Sequence, residues 1–355
     1  MQDRTAIERL RILELGAAPV VKSVFPGQTD FFSTFPRSDH AINALSIGLR
    51  QLYRRLRDDE VDLVVCQPPP FAFWHHQALV RLVFNRRLFA GGTRPQRGLG
   101  PPLLRLFRRP PVAVFDMEDY PHVDWWNHYL IDRATLYFKR ELPADDWRIF
   151  TKTGTPGQPS ARFRQSSRNR TRIGKLRPLP LGMPAHNEPL LPTRPSEKQY
   201  DVFFAGNVEG MPVRERGLAE LRQLAAEGVR IDVPDRPIPR EEFYARCARA
   251  WLTWSPEGYG WDCFRHYEAP ACRSVPVHNF PPIRRHAPSL PGIHAFYHGL
   301  APGELAATVR AALADKERLA RMAEDAHAHW RAHHRVEAIA RHVIESTMSA
   351  ATAKG

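Results

Sequence analysis

Short apolar, β-branched runs alternate with segments of helical period along the first half of the chain, the pattern of an α/β domain with a mostly parallel sheet. Val20 to Phe25 reads as the first strand and Pro26 to Pro36 as a loop. Ser38 to Arg57 then places Ile42, Leu45, Leu49, Leu52 and Leu56 at helical spacing, with Ser38 or Asp39 as N-cap. Val61 to Cys66 is a buried strand stopped by Pro68, Pro69 and Pro70, and His75 to Phe89 a basic, apolar helix. Ala90 to Pro111, rich in Gly, Pro and Arg, reads as a surface excursion. Strands resume at Pro111 to Phe115 and Thr135 to Phe138. An Arg-rich interval from Thr153 to Lys175 precedes the apolar run Leu176 to Leu181, and prolines from Pro178 to Pro195 mark a linker.

A second α/β unit opens at Tyr200 with a strand ending in Gly206. The alternation continues through a helix near Val213 to Glu227, a strand near Val229 to Val233 and a helix near Arg240 to Arg249. Strands follow at Ala250 to Trp254, Val275 to His278 and Ala295 to His298. From Gly303 to about Ser346 the pattern is helical, and no short period repeats, which excludes a solenoid. Two doubly wound domains are predicted, 1–190 and 191–325, with 326–355 as a helical segment returning to the first.

Composition narrows the partners. The 51 Lys+Arg, only seven of them Lys, exceed 38 Asp+Glu to give +13, which favours an anionic ligand: a phosphorylated metabolite, an anionic lipid head or nucleic acid. No nucleic-acid module is recognisable. Cys66, Cys247, Cys263 and Cys272 form no C-x-x-C, so neither a zinc site nor a disulfide framework is indicated. Asp3, Glu8 and Glu14 break any signal-peptide core and no run of about 18 apolar residues occurs, so a cytoplasmic location is expected. The basic, apolar stretch around Leu103 to Arg109 leaves two readings, an ordinary surface segment or peripheral contact with the inner face of the membrane.

The most informative stretch runs from Trp254 to Val277. Gly258 and Gly260 lie between a strand and a helix, where backbone N–H groups and the helix dipole attract a diphosphate. Glu268 can accept hydrogen bonds from ribose hydroxyls, and Arg265 and His266 can offset charge on a departing phosphate. The same residues also read as a glycine turn into a core helix with Glu268 paired at the surface. In the first half, Asp116, Glu118, Asp119 and His122 directly follow a strand, where a carboxylate or imidazole can deprotonate a hydroxyl. Asp116 is the first candidate, and Lys139 and Arg140 stand at the next strand end for a phosphate or anionic acceptor. Gly27 to Asp30 reads as a polar loop, and Trp125 and Trp126 as core or a sugar platform. His329 and His333 share a helix face with no partner carboxylate apparent, alongside His327 and His334.

Ser255-Pro256-Glu257-Gly258-Tyr259-Gly260 followed by Glu268-Ala269-Pro270-Ala271-Cys272-Arg273-Ser274-Val275-Pro276-Val277 resembles the GT-B glycosyltransferases, in particular the family-4-type C-terminal domain and its spore-coat-protein-like and exostosin-like relatives. The resemblance extends over Tyr200 to about Glu345. It implies a GT-B fold, two Rossmann-like domains facing a cleft, and transfer of a sugar from a nucleoside-diphosphate sugar to an acceptor hydroxyl. It also implies no obligatory metal or other cofactor. It assigns Gly206, Arg214 and Arg216 to the donor pyrophosphate, and Glu257, Gly258, Tyr259, Gly260, Arg265, His266 and Glu268 to the donor. Glu257 and Glu268 stand eleven positions apart where the family has eight, so the ribose role falls on Glu268 rather than a sugar role on Glu257. Arg273 replaces the family's glycine. The rival readings are a sugar-nucleotide epimerase or sugar phosphorylase on the same fold, or a two-domain sugar-binding protein without turnover.

Overall fold

The computed structural model describes residues 7–34, 44–69, 99–151 and 165–353. The chain divides into two compact units, Met1–Leu179 with Ala340–Gly355, and Pro180–Ile339. The predicted helix His75 to Phe89, the N-cap residues Ser38 and Asp39, and Thr153 to Arg164 lie outside the described residues.

The first unit carries a six-stranded sheet in the order β2-β1-β3-β4-β5-β6, parallel throughout. The strands are β1 (Ile12–Gly16), β2 (Thr29–Ser33), β3 (Leu63–Cys66), β4 (Val112–Asp116), β5 (Leu136–Lys139) and β6 (Leu176–Pro178). Parallel strands covered on both faces read as continuous apolar runs, and β3 and β4 are buried at every position.

Two expectations at the start of this unit are corrected. Val20 to Phe25 is not a strand but contains a short helix, α1 (Val21–Val24), and the central strand is the preceding Ile12–Gly16. Glu14 masks that strand in the sequence. It is fully buried, and its carboxylate accepts the N–H groups of Val20 (2.7 Å), Val21 (3.1 Å) and Lys22 (2.9 Å), so it caps α1. Gly27 to Asp30 is not only a loop, because Thr29 begins the edge strand β2. Within the span predicted as one helix from Ser38 to Arg57, α2 is Leu49–Arg57, and Ser46 bridges to Phe31 and accepts the Ser33 N–H. Leu52 and Leu56 bury its apolar face.

Further helices described in this unit are α3 (Gly100–Leu103), α4 (His128–Arg133) and α5 (Ser167–Gly174). Asp132 on α4 pairs with Arg172 and Arg168 of α5. Leu104 is buried within the basic excursion, whereas Leu106 is 70 % exposed.

The second unit carries a five-stranded parallel sheet in the order β11-β10-β9-β7-β8. Its strands are β7 (Tyr200–Phe203), β8 (Ile231–Asp232), β9 (Ala250–Trp254), β10 (Val275–Asn279) and β11 (Phe296–His298). The helices are α6 (Pro212–Ala226), α7 (Arg240–Ala248), α8 (Arg265–Ala271), α9 (Glu304–Leu313) and α10 (Lys316–His333), with α11 (Val336–Thr352) closing the chain. Gly217 of α6 lies against the Trp254 ring, where a methyl group would collide with buried indole.

The unit boundaries follow packing rather than the prolines. Leu181, Met183, Leu190 and Leu191 pack with Phe203, Tyr244 and Trp330, which draws the segment before residue 190 into the second unit. Trp330 belongs to the same cluster, so α10 stays there and the returning segment is Ala340–Gly355. In the first unit that segment brings His342 edge-on to Phe138 (5.8 Å) and Arg341 over the Phe25 ring (5.7 Å).

Candidate active site

In an open parallel sheet, ligands bind beyond the carboxyl ends of strands where the order of connection reverses. In the second unit β8 lies on one side of β7 and β9 on the other, so that point falls between Phe203 and Trp254. The chain leaving β7 passes through Gly206 and Asn207, and the chain leaving β9 passes through Glu257 and Gly258.

Two arginines occupy this position. Arg214, on the first turn of α6 and 6 % exposed, donates from Nε to the Glu257 carbonyl (2.8 Å) and from Nη1 to the Asn207 carbonyl (2.8 Å). It thereby ties the loop after β7 to the loop after β9. Arg265, the first residue of α8, donates from Nη1 to the Ala205 carbonyl (3.0 Å), while its buried Nε and Nη2 make no hydrogen bond. Burial first, and the charge of Arg214 second, lower the Arg265 guanidinium to about 10, which leaves it protonated at neutral pH. A buried guanidinium with two unused donors beside a second cation calls for an anion. Glycine makes this geometry possible. A Cβ at Gly206 would collide with Arg265 Nη1, and one at Gly258 would lie 2.6 Å from Arg214 Nη2.

The structure revises several assignments around this pair. Arg216 is exposed and turns back onto the Pro212 carbonyl of its own helix, away from the pair. Three amides of the first turn of α8 are already engaged: His266 N–H bonds the Cys263 carbonyl, and Tyr267 and Glu268 N–H bond the Phe264 carbonyl. The formal positive charge at this point is that of the two guanidinium groups.

His266 is buried, accepts the Cys263 N–H at Nδ1 (3.3 Å) and donates from Nε2 to the Ser255 carbonyl (3.1 Å). Those two bonds brace the loop and occupy both ring nitrogens, with Asp262 Oδ1 3.6 Å from Nδ1, so His266 does not face a phosphate. Glu257 caps its own loop: its N–H donates to Asn279 Oδ1 (2.9 Å) and its Oε2 accepts from Asn279 Nδ2 (2.8 Å). Tyr259 is 87 % exposed, and the Gly258 N–H closes onto the Gly260 carbonyl (2.8 Å).

Glu268 is 1 % exposed, not surface-paired. Its Oε1 accepts from Arg240 Nη1 (2.9 Å) and Tyr244 Oη (3.1 Å), both on α7, and its Oε2 carries no hydrogen bond. Burial raises its pKa, against the lowering effect of Arg240. The unengaged oxygen is the atom that can accept a sugar hydroxyl. Arg240 and Tyr244 escape sequence reading because they stand 28 and 24 residues away.

In the first unit, Asp116 ends β4 at 2 % exposure and is not open to a substrate proton. It accepts from Tyr137 Oη (2.6 Å), Lys139 Nζ (3.1 Å) and the Glu118 N–H (3.1 Å). Lys139 is fully buried and also reaches the Glu118 carbonyl (3.3 Å), so it neutralises Asp116 rather than binding a phosphate. Arg140 pairs with Asp119 and donates to the Met117 carbonyl (3.1 Å), folding the turn after β4.

His122 stacks on Tyr120 (4.4 Å, 14°), and its Nε2, 3.9 Å from Asp124 Oδ1, makes no hydrogen bond. Burial, and then the Lys139 charge, lower its pKa and leave it a neutral base. Trp125 is 61 % exposed, and Trp126 meets it edge-on at 5.8 Å. The order of β2, β1 and β3 also reverses here, and Gln67 spans that point. It accepts the Ala17 N–H (3.0 Å) and donates to the Ala18 carbonyl (2.9 Å), an arrangement that leaves no local sequence signal because its partners stand about fifty residues away.

Among the described residues no group of three or more His, Cys, Asp or Glu is placed to hold a metal ion, and no helix is long and apolar enough to cross a membrane. His329 and His333 lie 4.8 Å apart in an imidazole cluster that also holds His294 and His334.

The two parallel Rossmann-like sheets match solved glycosyltransferase structures. Sucrose-phosphate synthase from Thermosynechococcus elongatus aligns at 12 % identity with a TM-score of 0.51, over 97 % of this chain and all of that one. A glycosyltransferase from Rickettsia africae aligns at 8 % identity with a TM-score of 0.50, over 96 % of this chain and 98 % of that one. The chain thus has the GT-B fold. No protein-family model and no curated protein sequence matches it.

Proposed function

We propose that this protein is a glycosyltransferase that moves a sugar from a nucleoside-diphosphate sugar to an acceptor hydroxyl. The observation that carries this reading is the pair Arg214 and Arg265 at the strand-order reversal of the second unit, the latter with two buried donors unused. A diphosphate supplies the anion they lack, and Glu268 Oε2 accepts a ribose hydroxyl. In the reaction the bond from the anomeric carbon to the phosphate oxygen breaks, and its electron pair stays on the diphosphate between the two guanidinium groups. The acceptor oxygen bonds to the anomeric carbon and its proton passes to a base. His122, neutral and with Nε2 unengaged, is better prepared for that role than the neutralised Asp116.

Two guanidinium groups provide the charge a divalent cation would otherwise supply, so donor binding is expected to survive a chelator. A cytoplasmic location and peripheral membrane contact through exposed Leu106 and Arg109 complete the reading. The test is calorimetric titration with UDP, GDP, ADP, CMP and dTDP in the presence of EDTA, followed by incubation of each bound nucleotide's sugar conjugates with and without candidate acceptors. Binding of a nucleoside diphosphate with acceptor-dependent release supports the proposal. Conversion of the donor sugar without acceptor would make the protein an epimerase, and binding without turnover a sugar-binding protein.

A further inference from the structure

Cys263 stands on the loop between β9 and α8, and it alone of the four cysteines is half-buried; Cys66, Cys247 and Cys272 are buried. Its Sγ accepts from Arg214 Nη2 at 3.8 Å, lies 3.8 Å from the Gly260 carbonyl, and would touch a Cβ at Gly258 at 3.5 Å. The thiol therefore forms part of the wall around the arginine pair. A second observation makes it more than a lone cysteine. Arg265, two residues on, holds a guanidinium whose Nε and Nη2 are buried and unpartnered, and it is close enough to Arg214 and Cys263 to feel the charge of each, so an anion drawn to the two arginines arrives near the sulfur.

We propose that Cys263 is a modification site for anionic disulfides, glutathione disulfide being the representative class, and that its thiolation closes the anion site. This rests on Arg214 and Arg265 forming an anion site, and not on that anion being a nucleotide. The Cys263 thiolate attacks one sulfur of the disulfide, and the S–S bond breaks. A mixed disulfide forms, and the departing thiolate carries off the electron pair and takes up a proton. Cys263 is oxidised and the released half of the reagent is reduced. The attached group then fills the space of the diphosphate and displaces Arg214, and a dithiol restores the site. The other three cysteines do not compete, because access controls exchange as much as thiolate character does.

The test compares alkylation of the full-length protein by iodoacetate and by iodoacetamide, with each cysteine quantified by mass spectrometry. N-acetylcysteine sets the reference ratio of the two rates. At low salt the ratio at Cys263 is expected to exceed the reference by about tenfold, to fall toward it in 0.5 M salt, and both rates to slow with inorganic pyrophosphate. Glutathione disulfide is expected to give one adduct, on Cys263, that weakens pyrophosphate binding at least about tenfold until dithiothreitol removes it. A ratio equal to the reference, label spread over all four cysteines, or no effect of pyrophosphate overturns the proposal. So does unchanged pyrophosphate affinity in the thiolated protein. Protection by pyrophosphate with no binding of any nucleoside diphosphate supports it while overturning the donor reading, which keeps the two separable.

Discussion

Replacing Gly258 with alanine adds one methyl group directly against Arg214 of the proposed anion site. The new Cβ would lie 2.6 Å from Arg214 Nη2 and 3.5 Å from both Arg214 Cζ and Cys263 Sγ. The guanidinium must retreat by about 0.8 Å to reach van der Waals contact, yet it is held by the carbonyls of Glu257 and Asn207, each at 2.8 Å. Gly258 does not lie at positive φ, so the backbone accepts alanine, and what the methyl meets is the mobile end of a side chain. Losing one charge-assisted hydrogen bond to a bound diphosphate costs roughly 1.5–3 kcal/mol, a weakening of about 10- to 150-fold. Lengthening one bond to a carbonyl costs the fold about 1 kcal/mol, a fall of about 2–4 °C in Tm.

The assay is calorimetric titration of inorganic pyrophosphate and of the best-binding nucleoside diphosphate, beside a melting curve for each protein. Gly27→Ala is the control, because nothing lies within 4 Å of its added methyl. Unchanged pyrophosphate affinity in a folded Gly258→Ala protein would refute the placement of the phosphate between the arginines.

The remaining predictions separate chemistry from architecture. Asp116→Asn strands the buried Lys139 without its counter-charge and is expected to destabilise the first unit by about 3–5 kcal/mol; a normal Tm with lost turnover would instead restore Asp116 as the base. His122→Gln is expected to leave Tm and donor affinity near wild type while turnover falls about 10²- to 10⁴-fold, and full activity removes His122 from the mechanism. Glu268→Gln keeps an oxygen for Tyr244 and Arg240 and removes a buried charge, so Tm should hold or rise. Nucleoside-diphosphate affinity should drop while pyrophosphate affinity does not, and equal effects on both ligands would deny the ribose contact. Burial lowers His334 to about 3 and His128 to about 4, so the unfolded chain takes up protons first as pH falls below about 6.5. The stability these groups contribute is complete above that pH and is lost on acidification. For His334 the loss is about 2 kcal/mol at pH 5, and a pH dependence of Tm unaltered by His334→Gln would contradict this.

The second unit was legible because its parallel strands are covered on both faces and appear as mostly apolar runs, as Ala250–Trp254 does with Thr253 its one polar residue. The first strand was not, because Glu14 interrupts its run while the equally apolar Val20 to Phe25 gives up its N–H groups to that same carboxylate. At the site, the glycines and Arg265 announce themselves within one short stretch. The state of a carboxylate does not. Asp116 faces Lys139 only through the register of β4 with β5, and Glu268 meets Tyr244 only once α7 has packed on α8, so neither pairing leaves a local trace.

The first unit is assembled from both flanks of the second, for Ala340, Val343, Ile344 and Thr347 are buried in a segment that follows the whole of Pro180–Ile339. During synthesis its six strands therefore emerge first but lack part of their packing until the ribosome has passed Ile339, while the second unit is complete as soon as its own stretch is out. The usual order in which the leading domain finishes before the trailing one is inverted. A nascent chain halted just after Ile339 is expected to hold a settled second unit behind an unfinished first, with the surface that Ala340, Val343 and Ile344 cover left open.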